Sequence, residues 1–198
     1  MDPARGNLKD EILNGQDFEL AILLPDVDEA LLKAGKILSE THEIARVPIA
    51  FGLRGDAPHL DVSTPAAVKA TLVRAKSVKY APTGAALLTV KKILADLKIG
   101  DQIKDSSTRQ DEVPLGPGEY EINIYPLSEI IPNTKLKNLG AVIPALQVPS
   151  VMEASIGAHA TDVAAARALI RFLQGPAIDA GLSEDGMVKS VVNGTRQR

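Results

Sequence analysis

Short β-branched or apolar runs alternate with amphipathic helical patterns along almost the whole chain, and this alternation constrains the fold more than any other feature. Phe18–Leu24 has the character of a strand, ended by Pro25. Asp26-Val-Asp-Glu29 then opens a helix, with acidic groups near the positive end of its dipole, that runs through Leu31 and Leu32 to Gly35. Val47–Leu53 reads as a second strand, in which Pro48 cannot donate to a ladder and marks an edge or a strand start. Thr64 and Pro65 suit the N-cap and first position of a helix that carries Val68 and Leu72 on one face. Ser77–Tyr80 is a short strand, and Thr83-Gly84 opens a helix with Leu87, Val90, Leu94 and Leu97 at helical spacing. Tyr120–Tyr125 alternates with period two, placing Tyr120, Ile122 and Ile124 on one side. Leu139–Ile143 and Val151–Ala158 complete the strands. A last helix starts at Thr161-Asp162, buries Ala165, Leu169, Phe172 and Leu173, and breaks at Gly175-Pro176. Segments 105–118 and 132–138 are rich in loop residues. The pattern predicts an α/β fold with largely parallel strands and helices on both sheet faces. At 198 residues the chain suffices for one sizeable domain or two small lobes.

Charge argues against polyanionic partners. The net charge is −3 with 24% charged residues, so no basic surface points to nucleic acid or an anionic membrane. Aromatic residues are only 3% and Trp is absent, which leaves no platform for base stacking. The absence of Cys excludes disulfides, thiolate chemistry and Cys-ligated metals without fixing a compartment. Asp2, Arg5, Lys9, Asp10, Glu11, Asp17 and Glu19 leave no apolar signal core in the first twenty residues. No segment approaches the ~20 apolar residues of a membrane span, so membrane insertion is not expected.

Catalytic constellations are scarce. His42, His59 and His159 are scattered, without ligand spacing, and read as surface or strand-end histidines. There is no phosphate-cradling glycine loop followed by Lys-Ser or Lys-Thr, and no Gly-x-Ser-x-Gly elbow. Asp26, Asp28 and Glu29 could form an oxygen cage for a hard cation, but helix capping accounts for them more simply. Glu184-Asp185-Gly186 reads as a turn. The residues imply no cofactor and no metal, and a binding protein before an enzyme.

Several stretches resemble the molybdate-binding-protein-like family of solute-binding proteins, which have the type II periplasmic binding fold. Gly6–Leu24 is similar to the family's early helix, Gly turn and strand, and Asp28–Lys36 to the helix that follows. Lys79-Tyr-Ala-Pro-Thr-Gly84 with Ile93–Gly100 resembles the first ligand-facing turn and helix of the second lobe. Gly118–Tyr125 is similar to a strand preceded by Gly-Glu, and Ala164–Leu173 with Gly186-Met187 to the C-terminal helix and ending. Each motif is weak alone; their order and spacing over nearly the whole chain are specific.

The resemblance implies two α/β lobes, the first of residues 1–49 and 153–198 and the second of residues 50–152, with a small oxyanion or carboxylate bound in the cleft between them. Helix N-termini would hold that anion. The implied ligand contacts are Arg5, Gly6 and Asn7 at the first helix start, Pro25, then Thr83, Gly84 and Ala85 at a helix start of the second lobe, and Tyr125 at a strand end. An Arg at position 5 could pair bidentately with a carboxylate. The resemblance also implies periplasmic residence, despite the missing signal, and an ABC-transporter permease as partner. Some relatives isomerise small polycarboxylates, which requires a base beside a C–H proton; Glu121 and Asp111 are the candidates here. Family members begin with a strand-helix unit of about 30 residues that this chain lacks. Its loss would leave the site incomplete and a strand edge open, so self-association through the first lobe is expected.

Overall fold

The computed structural model describes residues 8–57, 60–103 and 113–190, with the backbone of 195–197. In chain order the elements are α1 (Leu8–Leu13), β1 (Leu20–Leu23), α2 (Pro25–Lys33), β2 (Ile37–Val47), β3 (Ile49–Gly55), α3 (Pro65–Arg74), β4 (Ser77–Lys79) and α4 (Leu87–Leu97). They continue with β5 (Tyr120–Pro126), α5 (Leu127–Ile130), β6 (Lys137–Ala141), β7 (Ser150–Gly157), α6 (Val163–Gln174), a short 3-10 turn, α7 (Asp179–Glu184), β8 (Val188–Lys189) and β9 (Thr195–Gln197). The chain divides into two compact units. One comprises Met1–Arg46, Val151–Ser183 and Val188–Arg198, the other Val47–Ser150 and Glu184–Met187.

The first unit is built on a sheet ordered β1-β7-β2-β8, with β9 also paired to β2. β1 runs antiparallel to β7, with Leu20 opposite Ile156 and Leu23 opposite Glu153. Because successive side chains point to opposite faces, the strands feed two apolar layers. Ile44, Ala154 and Ile156 pack with Ala166 and Ile170 of α6. Ala21, Leu23 and Ile37 pack with Ile12 of α1 and Leu31 of α2. Asp28 of α2 is buried and accepts a hydrogen bond from Ser155 Oγ at 2.5 Å. It is therefore part of the packing against the sheet and not a helix cap. The cap position of α2 is Leu24, which supplies no side-chain bond.

The second unit holds a four-stranded sheet ordered β4-β5-β3-β6. α3 and α4 cover one face, where Phe51, Leu53, Val68, Leu72, Val90, Ile93, Tyr120, Ile122 and Ile124 form a continuous core. Tyr120, Ile122 and Ile124 share one side, as the period-two pattern predicts. Thr64 caps α3 through a bond from Ala67 N, with Pro65 in the first turn.

Four sequence expectations need correction. β4·β5 is parallel, whereas β1·β7, β2·β8, β2·β9, β3·β5 and β3·β6 are antiparallel. A parallel pair needs a long crossover, which α4 and the segment after it provide for β4 and β5, whereas β3 arrives from the other sheet. β2 escaped the sequence reading because buried Thr41 and Glu43 break its apolar alternation. Val47–Leu53 is not one strand: Val47 ends β2 and β3 starts at Ile49, with Pro48 between them. Finally, α6 buries Ala166 and Ile170, with Val163 and Leu173 packed beside them, while Ala165, Leu169 and Phe172 are exposed. Both stripes are apolar, so spacing alone cannot choose the inward one. The start of α6 is fixed by Asp162, which accepts from Ala165 N, and by Glu19, which accepts from Thr161 N, Thr161 Oγ1 and Asp162 N. No helix among the described residues is long and apolar enough to cross a membrane.

Candidate functional site

The parallel register of β4 and β5 sets Lys79 opposite Asn123. Two residues further along each strand, the chain leaving β4 at Ala81 is level with Tyr125. The carboxyl ends of these strands thus bring the turn 81–86 and Tyr125 to one end of the second unit's sheet, the end at which open α/β sheets usually bind ligands. β3 adds its first residues there, with Ala50 opposite Tyr125 and Ile49 opposite Pro126.

Thr83 and Gly84 are exposed and Ala85 is half-buried. They form the turn before α4 and not its first residues, because the helix starts at Leu87 and Leu87 N donates to Gly84 O at 3.2 Å. Gly84 has φ +88, a left-handed conformation that glycine adopts without strain. Ala86 occupies the cap position of α4 and offers no side-chain acceptor. The first N–H groups of α4 therefore have no side-chain cap, in contrast to α3 and α6. Leu87 N and Val90 N are bonded to Gly84 O and Ala86 O, so Leu88 and Thr89 carry the N–H groups at the positive helix end, where anions are accepted. No acidic residue lies in the first turn of α4 to oppose one.

Tyr125 is half-buried on the face of β5 that also carries Glu121 and Asn123, opposite the core face. Burial raises its phenol above the usual range, and the Glu129 and Glu121 carboxylates raise it further. The ring thus presents a neutral hydroxyl able to donate a hydrogen bond.

Two braces at this end were not foreseen from the sequence. Gln147 Oε1 accepts from Ile49 N at 2.8 Å while its Nε2 donates to Val142 O. Thr89 Oγ1, in the first turn of α4, donates to Val148 O at 2.8 Å and accepts from Val148 N at 2.9 Å. Together they fasten the strand-free segment 142–149 to the start of β3 and to α4. Partners separated by 98 and 59 residues leave no local signal in the sequence.

Glu121 is occupied by structure. Arg54 Nε donates to it at 3.0 Å, Ser77 Oγ at 2.7 Å and Asn123 Nδ2 at 3.3 Å. Burial alone would raise its carboxyl, but the Arg54, Ser77 and Asn123 bonds outweigh burial and hold it below the usual carboxylate range. A buried, saturated carboxylate with a lowered pKa is a poor base, which removes the motive for assigning it a proton abstraction. Asp111, the other candidate base, lies outside the described residues, as do Arg5, Gly6, Asn7 and His59. Pro25 is half-buried at the first position of α2 in the first unit. Among the described residues, no group of three or more His, Asp or Glu could hold a metal ion.

Comparison with solved structures shows this two-sheet α/β architecture to be the type II periplasmic binding fold. The chain is similar to the periplasmic molybdate-binding protein of Azotobacter vinelandii, at 19% identity and TM-score 0.61, over 92% of this chain and 83% of that one. It is similar to a sulfate-binding protein from Mycobacterium tuberculosis, at 15% identity and TM-score 0.64, over 90% of this chain and 71% of the other. A tungstate-binding protein from Desulfovibrio alaskensis aligns at 16% identity and TM-score 0.56, over 92% and 82%. No curated protein sequence matches the chain. The model of the bacterial extracellular solute-binding protein family matches residues 3–188, and the chain belongs to that family.

Proposed function

We propose that this chain binds a small oxyanion or carboxylate as an extracellular solute-binding protein, with the anion seated at the carboxyl ends of β4 and β5. The observation that carries the proposal is the start of α4, whose N–H groups lack a side-chain cap and face no acidic residue in their own turn. Thr83 supplies a hydroxyl, Gly84 and Ala85 supply close backbone, and Tyr125 supplies a phenol kept protonated by burial and by neighbouring carboxylates. The ligands in the names of the similar structures, molybdate, sulfate and tungstate, are all oxyanions and support this class. Neutral donors suit such ions because a dipole-rich site holds negative charge without a paired cation. The family's extracellular character supports residence outside the cytoplasm, and an ABC-transporter permease is the receiving partner that the resemblance implies.

The test is a thermal-shift panel of molybdate, tungstate, sulfate and small carboxylates. A ligand at a hundred times its dissociation constant stabilises the native state by about 2.7 kcal/mol. One oxyanion or carboxylate should therefore raise the melting temperature in a saturable way while chloride at equal ionic strength does not. A panel without a ligand-specific shift would refute the proposal.

A further inference from the structure

The helix α6 carries two apolar stripes, and the fold uses only one. Val163, Ala166, Ile170 and Leu173 face the sheet of the first unit. On the other side, Ala165, Ala168, Leu169 and Phe172 follow the i, i+3, i+4, i+7 spacing of a single helix face. All four are exposed, Leu169 at 45% and Phe172 at 55%. Single exposed apolar residues are ordinary, but a contiguous helical stripe of them marks a contact surface.

We infer that this outer stripe of α6 is a contact surface for the same stripe of a second copy of the chain, the two helices running antiparallel about a two-fold axis. The sequence of the stripe fits itself in that arrangement. Phe172 lies over the partner's Ala165 and Leu169 over the partner's Ala168, and the two-fold repeats both contacts. Each large side chain thus meets a small one, which lets the helix axes approach closely. Charge agrees with the same orientation. Arg171, in the last turn of α6, has no ion pair among the described residues. With Phe172 over the partner's Ala165, Arg171 lies about four residues, or roughly 6 Å along the axis, from the partner's Asp162. A parallel arrangement would instead bring the two copies' Arg171 side chains together. Antiparallel helices also set their dipoles in the favourable sense.

The stripe is one face of a twelve-residue helix. It therefore buries less than the roughly 800 Å² per partner of a standard interface, and the dimer is a weak one that forms at high concentration. Sedimentation of the full chain across a concentration series tests this. At millimolar concentration the wild-type chain sediments mainly as a dimer, and Phe172→Glu, at an exposed position, remains monomeric with unchanged stability. Since the chain has no cysteine, single thiols report the geometry. Ala168→Cys, within one residue of its two-fold mate in this register, should form a disulfide-linked dimer on mild oxidation, while Ala164→Cys, exposed on the same helix but roughly 13 Å along the axis from its mate, should not. A wild-type monomer at the top of the series overturns the inference. So does a Phe172→Glu chain that dimerises like the wild type, or equal cross-linking from positions 164 and 168.

Discussion

The second unit is organised round one continuous apolar core, while the first divides its apolar residues between opposite faces of a sheet. Among the described residues, seventeen buried residues meet in the core of the second unit, against six and five in the two layers of the first. Both units also bury polar groups, most of them bonded. In the second unit Thr71, Ser77, Thr89, Glu121 and Asn123 have defined partners, while the buried Ser150 Oγ has none among the described residues. In the first, Thr41 Oγ1 and His42 Nε2 are buried with no hydrogen-bond partner among the described residues. The thick core tolerates the Glu121 charge because that charge is saturated, and an unsatisfied group costs more where there is less apolar area to offset it.

Truncation of Phe51 breaks or sharpens this comparison most strongly. Phe51→Ala opens a cavity at the centre of the second unit and should cost about 3–5 kcal/mol, whereas Ile156→Ala in the first unit should fall near the low end of about 2–5 kcal/mol. Denaturant unfolding of both variants measures the difference, and equal losses would mean that the two cores are equivalent.

Arg54→Met comes next. It leaves Glu121 buried with its nearest cation gone, at an expected cost of about 3–5 kcal/mol at neutral pH. The pH dependence carries a sign. The folded pKa of Glu121 lies below the ordinary carboxylate value, so this group contributes stability above that value, and the contribution is lost as pH falls through the folded one. In Arg54→Met the buried carboxylate is instead penalised while charged, so acidification should narrow the gap to the wild type. Unfolding curves at neutral and acidic pH would show it, and a gap that widens in acid would count against the pairing described here.

Cap removal is smaller and compares the units directly. Thr64→Ala on α3 and Asp162→Ala on α6 should each cost about 1 kcal/mol. Asp162→Ala should cost the less of the two, because Glu19 still accepts from Thr161 and the backbone of residue 162. Thermal melting of the two variants ranks them, and a larger loss for Asp162→Ala would show that Glu19 gives no such support.

These contrasts also explain what the sequence disclosed. Elements with clean periodicity and local punctuation were legible: β5 through its alternation, α3 through Thr64 and Pro65, the turn at Gly186 through its glycine. β2 was not, because buried Thr41 and Glu43 imitate a surface pattern. The inward face of α6 was not, because two apolar stripes compete and only tertiary contacts decide between them. At the candidate site, Thr83, Gly84, Ala85 and Tyr125 entered through family resemblance. The uncapped start of α4 and the braces made by Thr89 and Gln147 are long-range facts that no local window contains.

Beside the core, ion-pair and cap variants, Tyr125→Phe should disturb stability least, within about 0.5 kcal/mol, since it removes only a hydroxyl at a half-buried position. That makes it the sharpest probe of binding. The most direct test of the account is a calorimetric titration of molybdate, and of whichever anion shifts melting most, into the wild-type chain and into Tyr125→Phe. A hydrogen bond to a charged group is worth about 1.5–3 kcal/mol, so the account predicts saturable one-to-one binding to the wild type, weakened at least about tenfold in the variant. The absence of saturable binding to the wild type, or equal affinity in both proteins, would contradict an anion site at the carboxyl ends of β4 and β5.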